Sequence, residues 1–146
     1  MMYVTSRTAW PHLVDGGGGL IIKISSIVGH QELQSLRTAA HGAAKAGVIG
    51  FARMLAAEGV PHNIRAVSIS PGFIRRPATK DLFPPGGQET PAGAERVCKI
   101  PVGRAGEVEQ IANVALFLAS PAASYINATD IVVDGGFLGV SYGGGN

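Results

Sequence analysis

The run Leu20-Ile21-Ile22-Lys23-Ile24-Ser25 most restricts what this chain can become. It is short, apolar and rich in β-branched residues, and glycines Gly16–Gly19 precede it. A near-continuous apolar run of this length reads as a strand covered on both faces, the habit of parallel sheets. A second such run, Ile64-Arg65-Ala66-Val67-Ser68-Ile69, ends at Pro71-Gly72. Between them lies a segment with helical periodicity. Ala44, Val48, Phe51, Ala52 and Leu55 fall on one helix face, in a helix expected over Thr38–Glu58 and stopped by Gly59. Strand, helix and strand in that order require a crossover connection, so the fold class is α/β.

The rest of the chain extends this alternation. Met2–Val14 is expected to be helical, with Val4, Ala9, Trp10 and Leu13 inward and a kink at Pro11. Glu107–Ala119 is a further helix, with Val108, Ile111, Ala112, Ala115 and Leu118 sharing a face, and Thr129–Val133 is a last strand. Ile27–Arg37 reads as a loop. Arg75–Pro101, rich in Pro and Gly, is expected to cover a site or stay mobile, with one short helix starting at Pro91 and capped by Thr90. The tail to Asn146 is glycine-rich and expected to be loose. Right-handed parallel crossovers follow from the general rule. The first strand is too apolar for an exposed edge, so something should pair with it.

Composition narrows the function classes. Hydrophobic residues make up 46% and charged residues 15% of 146 residues, which excludes a disordered chain and fits one domain, 1–146. Net charge is +2 with no Lys/Arg block, so no nucleic-acid partner is expected. The segment 39–60 is interrupted by Lys45, Arg53 and Glu58, and the start lacks the pattern of a signal peptide, so no membrane partner and a cytoplasmic location are expected. Cys98 stands alone and is expected to be an inert thiol. His12, His30 and His62 lack metal-ligand spacing and read as surface groups, so no metal is expected.

The chemistry-bearing pattern is Ser26 at the end of the first strand and His41-Gly-Ala-Ala-Lys45 at the start of the long helix. Residues at i and i+4 stack on one helix face. The carboxyl end of a strand in an open α/β sheet is where ligands bind. This pattern resembles the Ser…Tyr-x-x-x-Lys site of the short-chain dehydrogenase/reductase family, with histidine at the tyrosine position. Further landmarks follow in family order: Asn63-Ile-Arg, Ser70-Pro71-Gly72-Phe73-Ile74, Pro101-Val-Gly-Arg-Ala-Gly-Glu107, Phe117-Leu-Ala-Ser-Pro121 and Ile131-Val-Val-Asp134-Gly-Gly136.

The resemblance implies a three-layer Rossmann-like parallel sheet, here its C-terminal half, without the N-terminal glycine-rich unit that holds a pyrophosphate. Gly16–Gly19 does not replace that unit, because a phosphate loop must follow a strand and open a helix. It implies an NAD- or NADP-dependent alcohol/carbonyl interconversion on a small-molecule substrate. Ser26, His41 and Lys45 would be catalytic; Lys45, Pro71, Gly72, Phe73 and Ile74 would touch the cofactor. Binding and activity by this chain alone are expected to be weak. It also implies a homo-oligomer built on the helices Met2–Val14 and Thr38–Glu58. The competing reading is a remnant that has lost catalysis and serves as an oligomerisation module. Three positions depart from the family: Arg76 where a threonine usually meets the carboxamide, Val67 where asparagine is usual, and Ala128 where glycine is usual.

Overall fold

A computed structural model of the chain describes residues 2–31, 33, 38–86 and 88–140. The helix α1 (Met2–Asp15) leads into strand β1 (Gly19–Ile24), then helix α2 (Ala39–Gly59) and strand β2 (Ile64–Pro71). Two-residue strands β3 (Ile74–Arg75) and β4 (Gly106–Glu107) flank a short helix α3 (Pro91–Val97). Helix α4 (Val108–Ala119) and strand β5 (Asp130–Val133) complete the order. The main sheet is parallel with strand order β1-β2-β5, and β3 pairs with β4 in a small parallel sheet of its own. The expected α/β class and parallel sheet are what the chain forms.

The sheet is covered on both faces, which explains why its strands read as continuous apolar runs. Ile21, Ile64 and Ala66 point to α1 and α2, where they meet Leu55, Ala56, Trp10, Leu13, Val14 and Phe51. Leu20, Ile22, Val67, Ile69 and Ile131 point the other way, to Leu118, Ile111, Val114 and Ala115 of α4. The central strand β2 is therefore buried on both sides, with Ile64, Ala66, Val67, Ser68, Ile69 and Ser70 inaccessible.

This arrangement corrects the expectation that both crossovers are right-handed. The chain steps from β1 to β2 through α2 on one face, then from β2 to β5 in the same direction through α4 on the opposite face. Two steps in one direction through opposite faces have opposite hands, so one of them runs against the usual rule. The rule rests on a direct strand–helix–strand connection. Here the second crossover contains the whole segment from Gly72 to Glu107, including β3, α3 and β4.

Arg65 ties α4 down on its face of β2. Its guanidinium donates to the carbonyls of Leu118 at 3.0 Å, Ala123 at 3.1 Å and Ile126 at 2.9 Å. These are the orphan carbonyls that close a helix and the turn after it. Beside them, Asn127 caps the backbone of Ala66 through Oδ1 at 2.9 Å, and Ala128 takes a positive φ of 54°.

Several expectations for single residues change. In α1, Val4 and Ala9 are exposed and Ser6 is buried instead. The reason is Lys23, which β1 directs inward, where its Nζ donates to Ser6 Oγ and lies 5.7 Å from the Phe51 ring centre. The first turns of α1 thus face a polar group. In α2, Ala44 is exposed, while Ile49 and Ala56 join Val48, Ala52 and Leu55 inside. Strand β2 runs through Pro71 rather than ending before it. The outer edge of β1 has no strand partner among the described residues. The expected loop over Ile27–Arg37 begins with a 3-10 turn, Ile27–Gly29; most of its second half, and the tail after Val140, lie outside the described residues.

The segment Arg75–Pro101 is organised. Thr90 caps α3, accepting from Gly93 N at 3.2 Å, as its sequence position predicts. Arg75 pairs with Glu89 and, at 3.3 Å, with Glu107, while its guanidinium lies 5.4 Å from the Phe83 ring centre. Those contacts fasten the segment to β3 and β4. Cys98 ends α3, exposed, with its thiol on the Glu95 carbonyl at 3.0 Å.

Candidate functional site

Strand geometry separates the two serines that end β1. Ser25 and Ser26 are adjacent in extended backbone, so their side chains point to opposite faces. Ser25 Oγ donates to the Lys45 carbonyl at 2.8 Å and is buried. It therefore anchors α2 to the strand. Ser26, with φ −171° and ψ 157°, turns the other way and caps the 3-10 turn, accepting weakly from Val28 N at 3.4 Å. Ser26 also lines a cleft.

Two glycines bring the helix close enough to complete the cleft. A Cβ on Gly42 would sit 2.9 Å from the Val28 carbonyl oxygen. A Cβ on Gly29 would sit 2.9–3.1 Å from the backbone of Lys45 and Ala46. Only hydrogen at these two positions lets the 3-10 turn rest directly on α2. Lys45 then reaches across, donating from Nζ to the Ile24 carbonyl at 3.0 Å. His41, one turn earlier, is exposed on the same helix.

The result is a cleft of about 580 Å³ at the carboxyl ends of β1 and β2. Ser26, His41, Lys45, Pro71, Gly72 and Ile74 all line it. Phe73, expected beside them, does not: it lies in the bend between β2 and β3, packs edge-on to Phe137 at 5.5 Å between centroids and lines a neighbouring, smaller cavity. The opposite wall comes from α4, through Val108, Ile111, Ala112 and Ala115. This explains why Val108 is 47% exposed and Ala112 also exposed, although both belong to the apolar face read from sequence. Arg76 also lines the cleft. Neither the α4 wall nor Ser25 was expected at the site. The signal for Ser25 was its place one residue before Ser26, which strand alternation turns toward the helix.

Outside the cleft, one polar chain braces the β1–α2 connection. His30 is exposed, as expected of a surface group, and its Nε2 lies 2.8 Å from Asp130 Oδ2. Asp130 also accepts from Ser68 Oγ, and its own side chain is 4% exposed. The two hydrogen bonds satisfy a carboxylate at the start of β5 and a hydroxyl inside β2. Among the described residues, no group of three His, Cys, Asp or Glu side chains could hold a metal, and no helix is long and apolar enough to cross a membrane.

Comparison with known proteins bears on the fold and the family. A family model described as enoyl-(acyl carrier protein) reductase matches residues 2–138. The 3-oxoacyl-(acyl-carrier-protein) reductase of Chlamydia pneumoniae is 40% identical over 135 residues, which are 92% of this chain and 51% of that protein. A solved structure of a putative NAD(P)-dependent gluconate 5-dehydrogenase from Beutenbergia cavernae, with bound NADP, superposes with a TM-score of 0.83 at 32% identity, over 94% of this chain and 53% of that one. A 7α-hydroxysteroid dehydrogenase complexed with NADH and 7-oxo glycochenodeoxycholic acid gives 0.79 at 31% identity, over 90% of this chain and 49% of that one. The chain spans about half the length of the relatives it matches. Their shared fold, and a match running through nearly every element described above, make this chain a member of the short-chain dehydrogenase/reductase family.

Proposed function

We propose that the cleft is the substrate and nicotinamide end of an alcohol/carbonyl oxidoreductase site, with Ser26, His41 and Lys45 as its catalytic residues. The observation that carries the proposal is the convergence of these three side chains on one cleft at the carboxyl ends of the strands, with Lys45 tied to Ile24. Relatives solved with NADH or NADP bound support a nicotinamide dinucleotide as cofactor. The residues present fit its nicotinamide and ribose. Lys45 has two ammonium protons beyond the one given to Ile24, suited to ribose hydroxyls. Pro71, Gly72 and Ile74 form the floor. For the pyrophosphate, no glycine-rich turn joins a strand to a helix start among the described residues.

A bound nicotinamide supplies the hydride donor or acceptor. The chain's own residues handle oxygen and proton. Ser26 Oγ donates to the substrate oxygen. His41 accepts the alcohol proton through a ring nitrogen in oxidation and returns it to the carbonyl oxygen in reduction. The α4 wall excludes water from one side of the substrate.

The test is an amide-shift titration of the chain with NADH and NADPH. Shifts at 24–26, 41–45 and 71–76, with a dissociation constant weaker than about a micromolar, support the reading. Absence of shifts at these residues with millimolar nucleotide overturns it. A second reading, self-association through α1 and α2, is favoured by the exposure of Met2, Tyr3, Val4, Met54 and Val60 on these elements and the turn that follows them. A monomer by light scattering at tens of micromolar would refute that reading alone.

A further inference from the structure

Two arginines stand side by side after Ile74, and the structure sends them to opposite destinies. Strand alternation carries Arg75 away from the cleft, where Glu89 and Glu107 neutralise it. The same alternation turns Arg76 back to the side of Ile74, and both line the cleft. The backbone at Arg76 is extended, with φ −162° and ψ 165°, and is held in place by Thr79. The Thr79 hydroxyl accepts from Arg76 N at 3.1 Å and contacts the Ile74 carbonyl at 2.8 Å. No carboxylate among the described residues lies within ion-pair distance of the Arg76 guanidinium.

The charge inventory of the cleft is therefore one-sided. Lys45 enters from α2, Arg76 enters from the segment after β3, and His41 stands beside them. No Asp or Glu lines the cleft. The facing wall is wholly apolar: Val108, Ile111, Ala112 and Ala115. Like charges in a cleft with a low-dielectric wall focus a positive potential into it. A guanidinium also presents paired donors that match the two oxygens of a carboxylate or phosphate. A threonine at this position would offer a single neutral hydroxyl instead.

Resting on the oxidoreductase reading above, we propose that the ligand of this cleft carries an oxyanion bound by Arg76 and an apolar body laid against α4. The oxyanion is a carboxylate of the substrate or a phosphate of the nucleotide; the chemistry is the same. Arg76 is a binding residue, and its place in the cleft makes the site prefer anionic over isosteric neutral ligands.

The experiment uses the intact chain and three probes followed by amide shifts: 3-hydroxybutyrate, its uncharged methyl ester, and inorganic pyrophosphate. The variants are Arg76→Thr, Arg76→Lys and, as a control, Lys80→Ala, which removes an exposed cation outside the cleft. Wild type should bind 3-hydroxybutyrate at least about tenfold more tightly than the ester, which corresponds to about 1.4 kcal/mol. Arg76→Thr should abolish that preference, Arg76→Lys should keep part of it, and Lys80→Ala should keep all of it. Arg76-dependent binding of pyrophosphate without a carboxylate preference upholds the proposal with the nucleotide as the source. Equal binding of both anions to wild type and Arg76→Thr overturns it. If the ester still shifts Ser26, His41 and Lys45 in that case, the oxidoreductase reading survives. If no probe shifts them, that reading falls too.

Discussion

Replacing Gly29 by alanine tests the packing that brings the site together. The new methyl carbon would lie 2.9 Å from the Lys45 carbonyl carbon, 3.0 Å from Ala46 N and 3.1 Å from the Lys45 oxygen. All three are backbone atoms of α2, so no flexible side chain can give way. Either the helix or the turn must move by a few tenths of an ångström. Overpacking of this kind costs about 1–3 kcal/mol. Gly29 does not have a positive φ, so alanine fits its backbone and gains about 0.4–1 kcal/mol by restricting the unfolded chain. The clash prevails, with a net loss of about 1–2 kcal/mol. Gly47→Ala on the same helix is the matched control. Nothing lies within 4 Å of its added Cβ, so helix propensity alone acts and stability should rise by about 0.8–1 kcal/mol. Urea unfolding of both variants with an unchanged slope would measure the difference, about 2–3 kcal/mol in midpoint terms. If Gly29→Ala unfolds at the same urea concentration as Gly47→Ala, or a higher one, the close approach of turn and helix does not set the geometry of the cleft.

Two further substitutions probe strain elsewhere. Burial pushes the Lys23 amine below its ordinary value of 10.5, so the unfolded chain holds that proton more tightly than the folded one. The resulting penalty is full below the folded-state value and fades as pH rises through it toward the ordinary one. Lys23→Met removes that penalty together with the hydrogen bond to Ser6 Oγ, so the urea midpoint of the variant relative to the natural chain should fall between neutral and alkaline buffer; a difference that does not change with pH would contradict this. Ala128→Gly should relieve the left-handed backbone at φ 54° and raise stability by about 1 kcal/mol, read from the thermal midpoint, with an unchanged or lower midpoint counting against it.

Local signals were legible wherever one residue's own chemistry decides the outcome. Thr90 before Pro91 marks the start of α3, and the run of β-branched residues marks β1 and β2. Ser26, His41 and Lys45 reach one cleft because strand end and helix spacing place them there. What could not be read depends on which face each helix covers. Ser6 is buried only because Lys23, distant in sequence, points at it. Val108 and Ala112 share the apolar face of α4, but that face is wider than the part of the sheet it covers, and the surplus becomes cleft wall. The opposite hands of the two crossovers follow from the long excursion between β2 and α4, and no local residue pattern announces them. Phe73 shows the same limit on a smaller scale, since the bend between β2 and β3 turns it from the cleft into a neighbouring, smaller cavity.

The two ends of α4 are fastened by different kinds of contact. Three charge-assisted hydrogen bonds hold the carbonyls at and beyond its C-terminus, whereas its N-terminus is held by the two-residue strand β4 and by the Arg75–Glu107 pair. A ligand seated against Ala115 therefore lies beside the end of α4 that Arg65 holds, and one seated against Val108 lies beside the end that β4 and the Arg75–Glu107 pair hold.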